Sequence, residues 1–320
     1  MSEVIGLVLP FFGLIFMGFV VARITRQPLE ALGWMTTFIV YVALPALFFQ
    51  LLAKTPFERL TEWSYISGAV FSTFVVFTLM FTASCIRARG EIAESTIKGL
   101  ASAYGNIGYM GPGLALLAFG EEAAVPVALI FCFENIMHFT IAPMMMALAG
   151  DEPRSPSSVA IDVVRKIAFH PFIIATAVGV LAAYTEFRPP LPVERFLEYL
   201  SRAAAPCALF AMGVTLALRP LKRVPHEMVP IALLKLIVHP LLCYVVLSWV
   251  GNFSPVWLFS AMLMAALPTA TNVFVIAQQY GVWVERASAS VLVTTCASVL
   301  TVTGLLYMIQ HGILPPDLFP

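Results

Sequence analysis

Tyr104-Gly-Asn-Ile-Gly-Tyr-Met-Gly-Pro-Gly113 lies in the middle of one apolar run of this chain, and Leu267-Pro-Thr-Ala-Thr-Asn-Val-Phe274 lies in the middle of another. Glycine, proline and asparagine are poor residues for a helix interior, so each run is predicted to be a membrane helix broken at mid-span. Lipid cannot satisfy the backbone amides and carbonyls that such a break frees. It survives only where it is buried in protein or lines a polar cavity. Two breaks at matching places in two halves point to the substrate site of a secondary transporter.

Composition agrees with a membrane setting. Hydrophobic residues make up 60% of the chain and charged ones 11%, against roughly a quarter charged in soluble domains. The mean hydropathy is +0.91. The formal net charge is zero, which gives no footing for a nucleic-acid partner. Cys85, Cys132, Cys207, Cys243 and Cys296 stand singly in apolar stretches, so they read as small buried hydrophobes and no metal site is predicted. The first apolar run, Val4 to Ala22, lacks a basic leader and is expected to be a retained helix rather than a signal peptide.

Apolar runs of about 20 residues match a hydrocarbon core of about 30 Å. Ten spans are predicted: 4–22, 32–52, 64–86, 95–118, 123–148, 163–184, 196–218, 227–250, 256–280 and 286–310. The stretch 151–162 carries the proline, serine and charge signature of a linker. It divides the chain into a first five-helix repeat (1–150) and a second (163–320). Eleven lysines and arginines lie on one side: Arg23, Arg26, Arg87, Arg89, Arg154, Arg165, Lys166, Arg219, Lys222, Arg223 and Arg286. Five lie on the other: Lys54, Arg59, Arg188, Arg195 and Arg202. The positive-inside rule puts the first set in the cytoplasm and both termini outside.

The halves repeat at a fixed offset. Pro10-Phe11 and Pro171-Phe172, Gly18 and Gly179, Pro45 and Pro206, and Gly120 and Gly281 are each 161 positions apart. An odd number of spans per copy turns the second copy over, so an inverted repeat with alternating access is predicted. The breaks in spans 4 and 9 then fall at one depth and cross. Asn106, Gly108, Gly111 and Pro112 would meet Pro268, Thr269, Thr271 and Asn272 there. Half-helix N-termini bring partial positive charge and free N–H groups suited to a carboxylate. The two asparagine amides can donate to the same anion or patch the freed backbone.

These motifs resemble the auxin efflux carrier family, in its bacterial, malonate-permease-like branch. Asn106-Ile-Gly-Tyr-Met-Gly-Pro-Gly113 with Gly120, Leu267-Pro-Thr-Ala-Thr-Asn272 with Tyr280-Gly281, and Lys235 to Pro240 carry the likeness, which covers the whole chain. The resemblance implies the fold shared with sodium/proton antiporters and bile-acid carriers. It implies a scaffold of spans 1, 2, 6 and 7 that also forms a homodimer, and a transport domain of spans 3–5 and 8–10 moving as an elevator. The family's paired crossover prolines match Pro112 and Pro268. The implied substrate is a small organic anion, and the implied place a bacterial inner membrane.

Lys235 is the one cation deep in a span outside the breaks. Such charges face the bundle interior with a partner, for charge pairing, proton-coupled switching or holding a carboxylate, unless the side chain snorkels to the interface. Glu134 and His138 share a helical face at i, i+4 spacing and are candidates for a proton relay. A protonated glutamate bonded to a helix carbonyl is the structural alternative. His170 and His239 each precede a proline and are expected at an interface. Thr294, Thr295, Ser298, Thr301 and Thr303 form a stripe expected to glue helices together.

No cofactor is predicted, the coupling ion being H+ or Na+. A sodium symporter of the bile-acid type or a sodium/proton antiporter would want acidic residues in the breaks, and none stands there. A membrane-embedded sensor lacks a signalling domain, and an intramembrane enzyme lacks a catalytic constellation, so no enzyme activity is expected.

Overall fold

The apolar runs form helices throughout the computed structural model, which describes residues 2–87, 90–150, 156–218 and 225–319. In chain order the helices are α1 (Ser2–Thr25), α2 (Gly33–Phe38), α3 (Leu44–Ala53), α4 (Trp63–Arg87), α5 (Ile92–Ala103), α6 (Gly111–Phe119), α7 (Ala124–Ala149) and α8 (Pro156–Ala168). They continue with α9 (Pro171–Tyr184), α10 (Leu191–Leu218), α11 (Met228–Leu233), α12 (His239–Val250), α13 (Pro255–Ala266), α14 (Thr271–Tyr280) and α15 (Val284–Gln310). A π turn at Ile39–Ala43 joins α2 to α3, and another at Leu234–Val238 joins α11 to α12. No strand occurs among the described residues; one antiparallel backbone bridge links Gly105 and Thr269.

Among the described residues six helical runs are long and apolar enough to cross a membrane: Glu30–Ala53, Phe57–Arg87, Glu121–Ala149, Leu191–Leu218, Met228–Val250 and Val284–Gln310. Large apolar side chains on their outer faces, among them Trp34, Trp63, Leu79, Trp249 and Leu300, are more than half exposed. Water would penalise such faces, whereas hydrocarbon solvates them. The predicted spans 1, 4, 6 and 9 are absent from this set; 4 and 9 are each cut in two, and of 1 and 6 only Leu9–Thr25 and Ile173–Tyr184 appear, as shorter apolar helices. α5 and α13 have 12 residues each, which at 1.5 Å per residue covers about half of the hydrocarbon core.

The breaks have local causes. Leu267 precedes Pro268, and a proline drives the residue before it out of the helical region; Leu267 is extended at φ −63°, ψ 148°. Tyr104 ends α5 at φ −74°, ψ 98°, and Pro112 restarts the helix within the first turn of α6. Gly120 and Gly281 then close α6 and α14 with φ of 74° and 67°, the positive region that glycine reaches without strain.

Two expectations change. Span 6 is not continuous: α8 ends at Ala168, His170 is extended ahead of Pro171, and α9 starts there. Of the linker expected at 151–162, residues 151–155 lie outside the described residues, and from Pro156 the chain is an amphipathic helix. Arg89, Arg154, Arg219, Lys222 and Arg223 of the positive set are also outside the described residues.

Contacts group the chain into two units. The first holds Met1–Glu62, Gly108–Cys132 and Phe169–Pro220, and the second Trp63–Ile107, Phe133–Ala168 and Leu221–Pro320. In the first, α1 and α10 approach backbone to backbone. A Cβ on Gly18 would overlap the carbonyl oxygen of Phe210, and one on Gly213 that of Ile15. Gly179 on α9 faces α3 in the same manner, its added Cβ reaching 3.3 Å from the oxygen of Phe49. Small residues at such contacts let membrane helices pack closely. Gly13, five positions before Gly18 on the same helix, meets nothing within 4 Å.

Gly213→Ala is expected to destabilise the protein by about 1–3 kcal/mol through overpacking. Gly13→Ala should leave the midpoint level or raise it slightly, because alanine is the better helix former. Thermal unfolding of both variants in detergent checks this contrast.

Candidate functional site

In the second unit the two breaks lie against each other and satisfy one another's backbone. The Asn106 amide donates to the Pro268 carbonyl at 2.7 Å, and the Ala270 amide donates to the Tyr104 carbonyl at 2.9 Å. Neither bond is available to a helix, and without them each group would be buried at a cost of several kcal/mol. Thr269, fully buried, extends the pairing in two directions. Its hydroxyl donates to the Ala101 carbonyl at 2.7 Å, near the end of α5, and its amide donates to the Thr294 hydroxyl at 3.0 Å.

Beside this bridge sits a polar group that the sequence reading named only in part. The Asn272 amide donates to the Tyr104 hydroxyl at 2.8 Å, and that hydroxyl donates to the Asn135 side-chain oxygen at 2.5 Å. The His138 ring stacks on Tyr104, centroids 3.9 Å apart and planes 16° apart. His138 is fully buried, and both of its ring nitrogens lack a hydrogen-bond partner. A buried polar group left so calls for an explanation. The expected Glu134–His138 pair is not formed: the spacing allows it, but His138 turns to Tyr104 and Glu134 to Thr73.

Lys235 does not snorkel. It is fully buried, and its ammonium group donates to the Ala265 carbonyl at 2.5 Å and lies 3.0 Å from His239 Nδ1. A cation at the C-terminal end of α13 is where the helix dipole favours one. Gly105 gives it room, since a Cβ there would come within 3.2 Å of Lys235 Nζ. The placement follows from Pro240, which cannot donate to the preceding turn. The π turn at Leu234–Val238 absorbs that lost bond, and the helix runs on through the proline. His239 is therefore not interfacial as expected but buried inside the unit, with Nε2 at 2.9 Å from the Thr73 hydroxyl. Thr73 donates in turn to Glu134 Oε1 at 2.7 Å.

Other predicted residues fall elsewhere. Gly108, Gly111 and Pro112 belong to the first unit, Gly111 and Pro112 opening α6 and Gly108 packing on Phe131. Thr271 opens α14 beside Asn272. In the serine and threonine stripe, Thr294 reaches across to the break, while Thr295 and Ser298 bond to carbonyls of their own helix. At the far end of α5, Lys98 pairs with Glu94 and Glu227 at 2.6 and 2.9 Å, and Arg286 with Glu227 at 3.0 Å. Lys98, Glu227 and Arg286 border a cavity of about 570 Å³ in the same unit. Among the described residues no cluster of histidine, cysteine, aspartate and glutamate could hold a metal ion.

Six helices long and apolar enough to cross a membrane, with a polar, backbone-paired pair of breaks in the second unit, are what a membrane transporter requires. Comparison with known proteins places it further: the Membrane transport protein family matches residues 3–306, and the chain belongs to that family, as its resemblance to the auxin efflux carriers implied. It is 62% identical over 320 residues, all of both chains, to a Rhizobium meliloti (strain 1021) protein named "Putative malonate transporter". It is 23% identical over 292 residues to an uncharacterized transporter of Methanothermobacter thermautotrophicus, covering 90% of this chain and 92% of that one. To an uncharacterized transporter of Methanocaldococcus jannaschii it is 21% identical over 276 residues, covering 82% and 85%. The protein is a transporter and not an enzyme.

Thr269→Val keeps the side-chain shape but orphans the Ala101 carbonyl, which should cost about 1–3 kcal/mol of stability. Thr269→Ser keeps the hydroxyl and is expected to recover most of that loss. Melting of the two variants side by side reads the difference.

Proposed function

We propose that the protein is a secondary active carrier of a small organic anion, a mono- or dicarboxylate such as malonate, in a bacterial inner membrane. The observation that carries the reading is the mutual pairing of the two breaks, Asn106 to Pro268 and Ala270 to Tyr104, in a chain otherwise built for lipid. Irregular backbone at membrane depth is where carriers of this architecture bind substrate. Asn272, at the start of α14, and the unpartnered His138 supply donors beside it. The helix start adds positive potential for a carboxylate. In this reading Asn106 and Thr269 with Pro268 and Thr271 shape the crossover, and Asn272 contacts the anion. The name of the 62% identical relative supports malonate as the first substrate to try.

The inverted repeat of ten spans is part of the same proposal, and the packing supports it. Gly18 meets Phe210 and Gly179 meets Phe49; adding 161 to 18 and 49 gives 179 and 210. Span 1 thus touches span 7 as span 6 touches span 2, which is the reciprocity that two related halves produce. Gly120 and Gly281, another pair at that offset, end their half-helices alike with positive φ. Spans 1, 2 and 7 and span 6 from Phe169 onward fall in one unit, as a dimer-forming scaffold would. Spans 3, 8, 9 and 10 fall in the other, as an elevator-type transport domain would, while Gly108–Cys132 of spans 4 and 5 groups with the first.

Exchange of labelled malonate into malonate-loaded proteoliposomes tests the reading. The wild type should exchange in sodium-free buffer. Asn272→Ala should raise the half-saturating concentration about tenfold or more, the worth of one hydrogen bond to a charged group. Absence of exchange with malonate and other small carboxylates overturns the reading, and an absolute need for sodium moves it to the bile-acid-type rival.

A further inference from the structure

Lys235, His239, Thr73 and Glu134 stand on a π turn and on helices α12, α4 and α7, yet their polar atoms form one unbroken line. Lys235 Nζ to His239 Nδ1 is 3.0 Å, His239 Nε2 to Thr73 Oγ1 is 2.9 Å, and Thr73 Oγ1 to Glu134 Oε1 is 2.7 Å. All four residues are at most 4% exposed. One end of the line touches the crossover through the Ala265 carbonyl and the close approach of Gly105. We propose that this line is a proton-binding site that loads a proton together with the anion, with His239 and Thr73 as its bridging groups. The inference rests on the carrier reading above and adds the coupling ion and the residues that hold it.

The donor pattern allows transfer with no movement of heavy atoms. With Lys235 charged, its N–H donates to His239 Nδ1, the Nε2–H donates to Thr73, and the Thr73 O–H donates to the Glu134 carboxylate. Moving one proton along each of these three bonds breaks one N–H or O–H bond and forms another at every step. It leaves Lys235 as a neutral amine and Glu134 as a carboxylic acid. The reversed pattern is equally satisfied: Glu134 donates to Thr73, Thr73 to His239 Nε2, and His239 Nδ1–H to the amine. A proton arriving at the crossover end can therefore be held at Glu134, where an O–H bond forms, no other bond is lost on balance, and nothing is oxidised or reduced.

Charge balance supplies the reason for loading. Either pattern sums to zero, and buried charge is tolerated only when compensated. An anion entering beside the crossover adds an uncompensated negative charge. Protonation of Glu134 with Lys235 still charged offsets one unit of it, so anion and proton each raise the other's affinity by the same factor. The other titratable groups that face the line are Tyr65 on α4, His138 on α7 and Cys243 on α12. α13 has none, and Glu94 and Lys98 of α5 are engaged with Glu227 and Arg286 at its other end.

The test uses the full chain in proteoliposomes with an entrapped pH-sensitive dye. The pH is held above both ionisations of malonate, so that the substrate itself carries no proton, and empty liposomes give the background. Labelled malonate and lumenal pH are followed together, and the readout is the ratio of proton flux to malonate flux under an inward malonate gradient. Wild type should acidify the lumen as malonate enters. Thr73→Val and Glu134→Gln should each lower the ratio by a factor of about ten or more, the upper part of the usual range of coupling. Thr73→Ser should restore it, which a merely structural role for the residue would not produce. Variants carrying the wild-type ratio overturn the proposal. So does net wild-type malonate uptake down the imposed gradient with no lumenal pH change and no response to an imposed pH gradient, a result that needs no variant to fold and leaves the carrier reading standing. Absence of any exchange overturns both.

Discussion

Everything in the second unit answers to one constraint: a helix cut in mid-membrane exposes hydrogen-bonding backbone where no water can reach it. The chain meets this by placing one cut against another. The amides of Asn106 and Ala270 find the carbonyls of Pro268 and Tyr104. Carbonyls near the cut ends of α5 and α13 take the Thr269 hydroxyl and the Lys235 ammonium, at Ala101 and Ala265. A helix ends with four carbonyls lacking intrahelical partners, so a cation buried at that point is a structural answer before it is a functional one. Once Lys235 is fixed there, an acidic group is needed within the same interior, and the line through His239 and Thr73 to Glu134 provides it.

Much of this was legible in the sequence, because proline and glycine act locally. The two breaks and the glycines closing the half-helices follow from rules that reach only a few positions along the chain. Lys235 was legible for a different reason, since an ionisable residue in an apolar run needs a partner wherever the chain goes. What failed was the inference from neighbours in sequence to neighbours in space. His239 stands just before Pro240, which ordinarily marks a helix end. A π turn carries the helix through that proline and leaves the imidazole buried. Glu134 and His138 have the spacing of a pair, yet each found a better partner on another helix. Thr73 carried no signal at all, because a threonine in an apolar span looks the same whether it bonds its own backbone or bridges two ionisable groups. Asn135 stood in plain sight beside Glu134, but only the Tyr104 hydroxyl shows why an amide belongs there.

The first unit is organised by steric fit instead of by polar satisfaction. Glycines at 18 and 213 let α1 and α10 meet backbone to backbone, and Gly179 does the same for α9 on α3. In hydrocarbon there is no hydrophobic drive to press helices together, so close approach of this kind is a main source of cohesion. Among its described residues, the unit with these contacts bears no ionisable line of the kind found in the other. The division of labour is visible in side-chain chemistry: small residues hold one unit together, and hydrogen-bonding groups hold the centre of the other.

The line from Lys235 to Glu134 also has an electrical consequence. In both of its proton arrangements it sums to zero, so by itself it gives the membrane field no net charge to act on. A charge crossing the full potential is worth about 2.3 kcal/mol per 100 mV, so in the proposed cycle an empty carrier with a balanced interior would reorient without that gain or penalty. The voltage dependence of the proposed loaded carrier would then be set by its cargo. A monoanion travelling with one proton is electrically silent, whereas a dianion with one proton carries current, and the sign of that current tells how many charges the bound acid brought.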